Sequence, residues 1–234
     1  MAPTFQAAQD TIAGLVKHFR TNRAAFRAPD YKEAHARQEL IDPLFIALGW
    51  DVHNSGQAAP DYREVVLEDT LEIAGQKKAP DYAFRVGRER KFFAEAKKPG
   101  VDLKTDSGPA YQLRRYAWSA KLPLSLLTDF EEFAVYDCRS RPSEKDKAAT
   151  ARINFYTFES YADQWREVWD VFSREAVWGG SFDQFAASAK GKRGATAVDA
   201  EFLKEIEGWR DSLAKNIALR NTALTIDELN DAVQ

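Results

Sequence analysis

Thirteen residues separate Asp81, which follows Pro80, from the run Glu95-Ala96-Lys97. Two carboxylates and an amine are the groups that metal-assisted hydrolysis of a phosphodiester requires. The carboxylates of Asp81 and Glu95, with the main-chain carbonyl of Ala96, are hard oxygen ligands and favour Mg2+, for which Mn2+ can substitute. A cation held there lowers the pKa of a bound water and stabilises negative charge on the phosphoryl oxygens. Lys97 would position or deprotonate that water, or balance the developing charge. Taken alone these residues are commonplace: Pro-Asp is a turn dipeptide, and Glu-x-Lys is a frequent surface pair on strands. The elements that hold them decide between the two readings.

Lys91–Lys97 reads as a strand. Phe93, Glu95 and Lys97 share one face, and Phe92, Ala94 and Ala96 take the other. A strand apolar on both faces is a central strand, and a charged pair at its end is costly unless it is paired or holds a metal. Tyr82–Val86 is a strand as well, with a hairpin loop over Gly87–Arg90. A loop of three or five residues around Gly87-Arg88-Glu89 places Asp81 directly across from Glu95, with Cβ atoms about 5 Å apart. A loop of two or four residues puts Asp81 on the wrong face.

The other elements follow from periodicity and punctuation. An amphipathic helix covers 4–27 and ends at Pro29. A second covers about 31–48, with Leu40, Ile41, Leu44, Phe45 and Leu48 on its apolar stripe and a bend expected at Asp42-Pro43. Arg37 projects from that stripe and Glu33 from its edge, so both need partners, whereas Glu39 points to solvent. Arg63–Leu67 is a strand, Leu71–Ile73 is read as its continuation past Glu68-Asp69, and Gly75–Lys78 is a turn. Ala110–Ala120 is a short helix begun by Pro109. Leu124–Thr128 and Phe133–Tyr136 are strands, Arg139–Thr150 is a polar loop, and 158–175 is a Trp-rich helix. Trp165, Trp169 and Trp178 could stack on bases, but their helical spacing points to the core. The order of helix, three strands, helix and two strands implies an α/β fold with a mixed central sheet flanked by helices.

This arrangement resembles the PD-(D/E)XK nuclease superfamily, whose core runs αβββαβ. More closely, it resembles the N-terminal cleavage domains of type I and type IIG restriction enzymes. The supporting stretches are Glu33-Ala34-His35-Ala36-Arg37, Leu40-Ile41-Asp42-Pro43-Leu44, Leu48-Gly49-Trp50, Pro80-Asp81 and Glu95-Ala96-Lys97-Lys98-Pro99. Tyr111-Gln112-Leu113-Arg114-Arg115-Tyr116 and Leu127-Thr128-Asp129-Phe130 add to them. The resemblance implies Asp81 and Glu95 as metal ligands, Lys97 as the catalytic lysine, and Glu33 as the acid of the first core helix. It also matches Gln112 and Tyr116 to a Gln-x3-Tyr motif. These two share a helix face, and either a phosphate contact or a buttress of the sheet would use that face. Arg114, Arg115 and Lys98 are expected as phosphate contacts. The resemblance spans about 31–138, within a nuclease domain expected over 1–190. A linker at Lys190–Thr196 then leads into helical residues to Gln234, which read as the start of a connector to something longer.

Composition sets the outer bounds. The chain has 234 residues and a formal net charge of −3, which by itself argues weakly against a nucleic-acid partner. The average hides a basic stretch: residues 77–121 contain twelve Lys or Arg and five Asp or Glu. That restores DNA as a partner. One cysteine, Cys138, and three dispersed histidines exclude a disulfide framework and make a Cys- or His-based zinc site improbable. No membrane span or signal peptide is visible, so a cytoplasmic setting is expected, and the resemblance to restriction enzymes implies a prokaryotic one. There is no phosphate-binding loop and no Asn-Pro-Pro-Tyr motif, so a motor is not expected in this chain, nor a methyltransferase. The expectation is therefore a Mg2+-dependent DNA endonuclease module of a type IIG restriction-modification enzyme. Its adenine methyltransferase and target-recognition domains would follow, and a second nuclease domain would be needed to cut both strands. A type I cleavage subunit, or a non-catalytic DNA-binding or scaffolding module that kept the fold, are the alternatives.

Overall fold

The computed structural model describes residues 3–73 and 75–188. The chain divides into two units, Met1–Gly194 and Ala195–Gln234, and every described residue lies in the first. The expected linker and helical connector at 191–234 lie outside the described residues.

A six-stranded mixed sheet organises this unit. Its strands are β1 (Val65–Leu67), β4 (Tyr82–Val86), β5 (Glu89–Ala96), β6 (Leu124–Thr128), β7 (Glu132–Asp137) and β8 (Arg152–Thr157), adjacent in that order. Only β5 and β6 run parallel. The crossover between them contains helix α4 (Ser107–Ser119), as a parallel join requires. β2 (Leu71–Ile73) and β3 (Gln76–Lys78) form a separate two-stranded sheet. Two sequence expectations change here. Glu68 adopts φ +52° and ends β1, so Leu71–Ile73 does not extend it. Most of the segment expected as a turn, Gln76–Lys78, is the return strand of that hairpin. The edge strand β8 was not expected, because its polar Arg152 and Asn154 adjoin a polar loop.

The central strand divides two cores, as its two apolar faces require. Phe92, Ala94 and Ala96 pack with helix α1 (Phe5–Phe26), α3 (Asp42–Ala47), α5 (Tyr161–Phe172) and α7 (Ser181–Ser188). Phe93 packs on the opposite face with Ala110, Leu113, Tyr116 and Ala117 of α4. Trp165 and Trp169 are buried, as their spacing predicts, but Trp178, expected in the core with them, is half exposed under the Arg174 guanidinium, because it ends a separate short helix, Arg174–Trp178. Cys138 is fully buried and its thiol is pushed up to about 12 by that burial, which suits packing and not nucleophilic chemistry. Among the described residues, no helix is long and apolar enough to cross a membrane.

The second helix departs from α geometry. It begins as α2 (Glu33–Ala36), widens into a π segment at Arg37–Ile41, and resumes as α3. Pro43 has no N–H to give to the carbonyl four residues back. Instead of a simple bend, the ladder loosens just before it, and the Asp42 N–H donates to the Arg37 carbonyl.

The β2–β3 excursion is tied down by Asp69. Its buried carboxylate accepts from Arg85 Nη2 at 2.7 Å, from Arg90 Nε at 2.7 Å and from Arg90 Nη2 at 3.0 Å. Burial pushes the Asp69 pKa up, but the two arginines outweigh it and hold the carboxyl below its ordinary 3.8. Its stabilising contribution is therefore complete above pH 3.8 and fades as pH falls through the depressed value. Asp69→Asn should flatten the acid limb of a melting-temperature profile below about pH 4, while wild type falls more steeply there. Parallel acid limbs in the two proteins would contradict the assignment.

Candidate functional site

The register between β4 and β5 places the site. Tyr82 pairs with Ala94, Ala83 with Phe93 and Phe84 with Phe92, and then the register shifts so that Arg85 pairs with Arg90 and Val86 with Glu89. Only Gly87 and Arg88 form the turn, with Gly87 at φ +59° in the first loop position. The two-residue loop that should have misplaced Asp81 is compensated by a β-bulge, with Lys91 as the extra residue on β5. Extended one step past Tyr82, the corrected register sets Asp81 opposite Glu95. Asp81 Oδ2 accepts from the Ala96 N–H at 2.8 Å.

Glu95 lies at the end of β5, its side chain 3% exposed. Its Oε1 accepts from Lys97 Nζ at 2.9 Å and also from Gln112 Nε2. Lys97 Nζ also donates to the Ala96 carbonyl at 2.9 Å and lies 3.8 Å from Glu33 Oε2. Glu33 is the more exposed carboxylate, at the rim of the cluster. Asp81, Glu95, Lys97 and Glu33 therefore converge, from three separate stretches of chain.

Burial, followed by the like charge of Asp81, pushes Glu95 up to about 7 despite the neighbouring Lys97. Burial and Asp81 also raise Glu33, against the pull of Lys97 and Arg37. For Lys97, burial lowers the pKa, but the charge and hydrogen bond of Glu95 with the charges of Glu33 and Asp81 outweigh it, and the ammonium is held above its ordinary value.

Two observations bear on whether these residues suit a divalent cation. Glu95 Oε2 is buried and has no hydrogen-bond partner. The Lys97 ammonium already bridges two of the expected ligand atoms, Glu95 Oε1 and the Ala96 carbonyl, so that corner attracts positive charge. Among the described residues no group of three His, Cys, Asp or Glu side chains forms a ready metal cage. Two carboxylates and a carbonyl fit Mg2+, which keeps several of its waters, better than they fit a cation that needs an all-protein shell.

The second layer was only partly foreseen. Arg37, singled out as a polar group on an apolar stripe, carries its Nη1 to 3.4 Å from Asp81 Oδ1 and lies over the Tyr82 ring at 5.1 Å. Tyr82 in turn donates to Asp42 Oδ1 at 2.6 Å. Helical spacing identified Arg37 as needing a partner, but nothing local could name Asp81, which lies 44 residues away. Gln112 and Tyr116 do share a face of α4, with Gln112 on Glu95 and Tyr116 largely buried beside it.

No protein-family model matches this chain, and no solved structure matches it. One relative is clear. The chain is 39% identical over 228 residues to the type II restriction enzyme and methyltransferase RM.Eco57I of Escherichia coli. The match covers 97% of this chain and 23% of that protein, so the chain spans about a quarter of the relative's length.

The remaining expected contacts separate. Lys98 Nζ donates to the Pro29 carbonyl at 2.7 Å, and Arg115 is partly exposed on α4. Arg114 requires correction. Its side chain is 2% exposed and its Nη1 pairs with Asp146 Oδ2 at 2.6 Å, so it is turned into the fold and cannot meet a phosphate there. Adjacent residues on a helix point about 100° apart, and one of an Arg-Arg pair is readily the inward one. Asp146→Ala, which leaves that guanidinium buried and unpaired, should cost about 3 kcal/mol in denaturant unfolding. The same change should leave the salt dependence of DNA binding untouched, whereas Arg115→Ala should reduce its slope by about 1 at unchanged stability. Equal stability in Asp146→Ala and wild type would show that the pair is unimportant.

Proposed function

We propose that this chain is the Mg2+-dependent DNA-cleavage module of a type IIG restriction-modification enzyme, with the PD-(D/E)XK arrangement of catalytic groups. The observation that carries it is the convergence of Asp81, Glu95 and Lys97 at the end of a central strand, where Glu95 keeps a buried oxygen without a partner. The similarity to RM.Eco57I, named as a restriction enzyme and methyltransferase, supports the restriction-modification setting. On this reading an adenine methyltransferase and a target-recognition domain follow in the parent polypeptide, and the protein works on double-stranded DNA in a prokaryotic cytoplasm. Each module cuts one strand, so double-strand breaks need a second copy.

Asp81, Glu95 and the Ala96 carbonyl would hold the cation, with Glu33 at the rim. Bound there, Mg2+ would supply positive charge to the scissile phosphate and acidify a water. The residues of the chain do the rest. Gln112 and the Ala96 N–H fix Glu95 and Asp81 against rotation. Arg37 holds the second Asp81 oxygen. Lys97, a half-buried ammonium with its charge secured, faces the attacked phosphate and orients the nucleophile.

The test is nicking of supercoiled plasmid by the full chain. Mg2+ or Mn2+ should support conversion to open circles and EDTA should stop it. Asp81→Asn and Glu95→Gln should abolish it while melting cooperatively. Mg2+ should raise the melting temperature of wild type and not of Glu95→Gln. Nicking that survives in both variants, or a folded wild type inert with every divalent metal, would sink the proposal in favour of a non-catalytic DNA-binding module.

A further inference from the structure

The C-terminal end of helix α1 carries the exposed Arg20 and Arg23, on either side of a kink at Asn22, and its C-cap is the exposed Arg27; Glu131 and the Phe158 ring gather the three on one side. Nothing in the catalytic cluster uses them. Arg27 Nη1 lies 2.7 Å from both carboxylate oxygens of Glu131, and Arg23 Nε donates to Oε1 at 2.9 Å. The Glu131 side chain is only 8% exposed, whereas Arg23 and Arg27 are 46% and 44% exposed. A buried carboxylate thus anchors two guanidiniums whose outer edges face solvent. The Arg20 and Arg23 guanidiniums also lie over the Phe158 ring, at 5.9 and 5.5 Å. These long side chains are therefore held in place before any ligand arrives, which lowers the entropic cost of binding.

Their position matters as much as their order. Glu131 follows β6 by three residues, and the Thr128 carbonyl at the end of β6 accepts from the Lys97 N–H at 2.9 Å. Gly100 packs against Arg27, 3.7 Å from a Cβ placed on the glycine to Arg27 Cβ, and Lys98 donates to Pro29 just past the helix. The arginine face and the catalytic cluster therefore lie on the same edge of the sheet, at the C-terminal ends of its one parallel pair. The surrounding acids do not cancel the charge. Glu131 and Glu159, whose charge also acts on Arg23, and the exposed Asp30 beside Pro29 stand against Arg20, Arg23, Arg27 and Lys98.

We infer that the Arg20–Arg23–Arg27 face of α1, with Lys98, grips the phosphate backbone of duplex DNA as it leaves the cleavage site. This deepens the proposed nuclease function and rests on it. The seven steps from Arg20 to Arg27, which cross the kink at Asn22, span about 10 Å at helical rise. One strand of DNA presents a phosphate about every 3.4 Å of helix axis, so this face covers about three phosphates. Contacts of this kind hold the duplex without reading its sequence.

The experiment is fluorescence anisotropy of a labelled duplex with the full chain over a salt series, with Ca2+ replacing Mg2+ to suppress cutting. Arg20→Gln, Arg23→Gln and Arg27→Gln are combined with Glu131→Gln, so that no buried carboxylate is left unpaired. That protein should bind about 10-fold or more weakly, with a log–log salt slope smaller by about 2 to 3. Glu131→Gln alone should melt earlier, and it is the reference of matched stability against which the combined variant's affinity and salt slope are read. Arg20→Glu disturbs no buried ion pair and should weaken binding on its own, which keeps the test decisive even if the combined variant fails to fold. Wild-type affinity and slope in Arg20→Glu, or in the folded combined variant, would overturn the inference alone. No salt-dependent duplex binding by wild type itself would overturn the proposed function with it.

Discussion

Replacing Lys97 by alanine should abolish metal-dependent nicking, by at least about 10^3-fold, in a protein that still folds. Among the described residues Lys97 is the sole ammonium against Glu95, at 2.9 Å, and it also holds the Ala96 carbonyl at 2.9 Å. On the proposed mechanism its loss would remove a preorganised positive charge from the place where phosphoryl charge would develop, an effect of about 10^2 to 10^3. It also removes the group that orients or deprotonates the nucleophile, a further contribution of similar size. Folding should survive because Glu95, already pushed up to about 7, can take up a proton once its partner is gone. Lys97→Arg should keep the charge but not the reach of a compact ammonium, and should recover only part of the rate. Single-turnover nicking with circular dichroism of the same samples tests this. Activity within a few-fold of wild type in Lys97→Ala would remove the residue from the chemistry.

The largest effect on stability is expected at Trp50. Its side chain is 2% exposed, its indole N–H donates to the Phe172 carbonyl at 2.9 Å, and its ring meets Phe84 at 5.0 Å and Phe92 at 5.9 Å. Phe84 and Phe92 stack at 4.4 Å across β4 and β5, on the cross-strand pair just before the bulge. Trp50→Ala leaves a cavity against the two strands that carry the acids, and should cost about 3 to 5 kcal/mol. That corresponds to a fall of about 6 to 20 °C in melting temperature for a domain of this size. Trp178→Ala is the matched control, because that ring is half exposed and should change stability by about 0.5 kcal/mol or less. Similar losses in the two variants would mean that Trp50 does not anchor the sheet.

These two residues also show how far local pattern reaches. Lys97 could be paired with Glu95 from sequence because a strand puts every second residue on one face, and both faces of β5 proved to be core. Trp165 and Trp169 could be assigned to the interior because helical spacing makes the same demand. Arg114 could not be separated from Arg115 in that way. Both are long, basic and adjacent, and the carboxylate that draws Arg114 inward is Asp146, 32 residues on in a loop without periodicity. Arg37 was visible as a polar residue in need of a partner, yet its partner depended on how β4 met the second helix.

The residues themselves therefore determined the groups on which the proposed chemistry rests, the faces of its strands and helices, and the order of most of its elements. Those properties follow from side-chain type and from the fixed periods of the backbone. Only the tertiary structure decided whether Asp81 meets Glu95. The two-residue turn at Gly87-Arg88 alone would have turned Asp81 away, and the bulge at Lys91 turned it back. A bulge adds one residue to one strand against its neighbour, so it is a property of the pair, and neither strand's own pattern announces it.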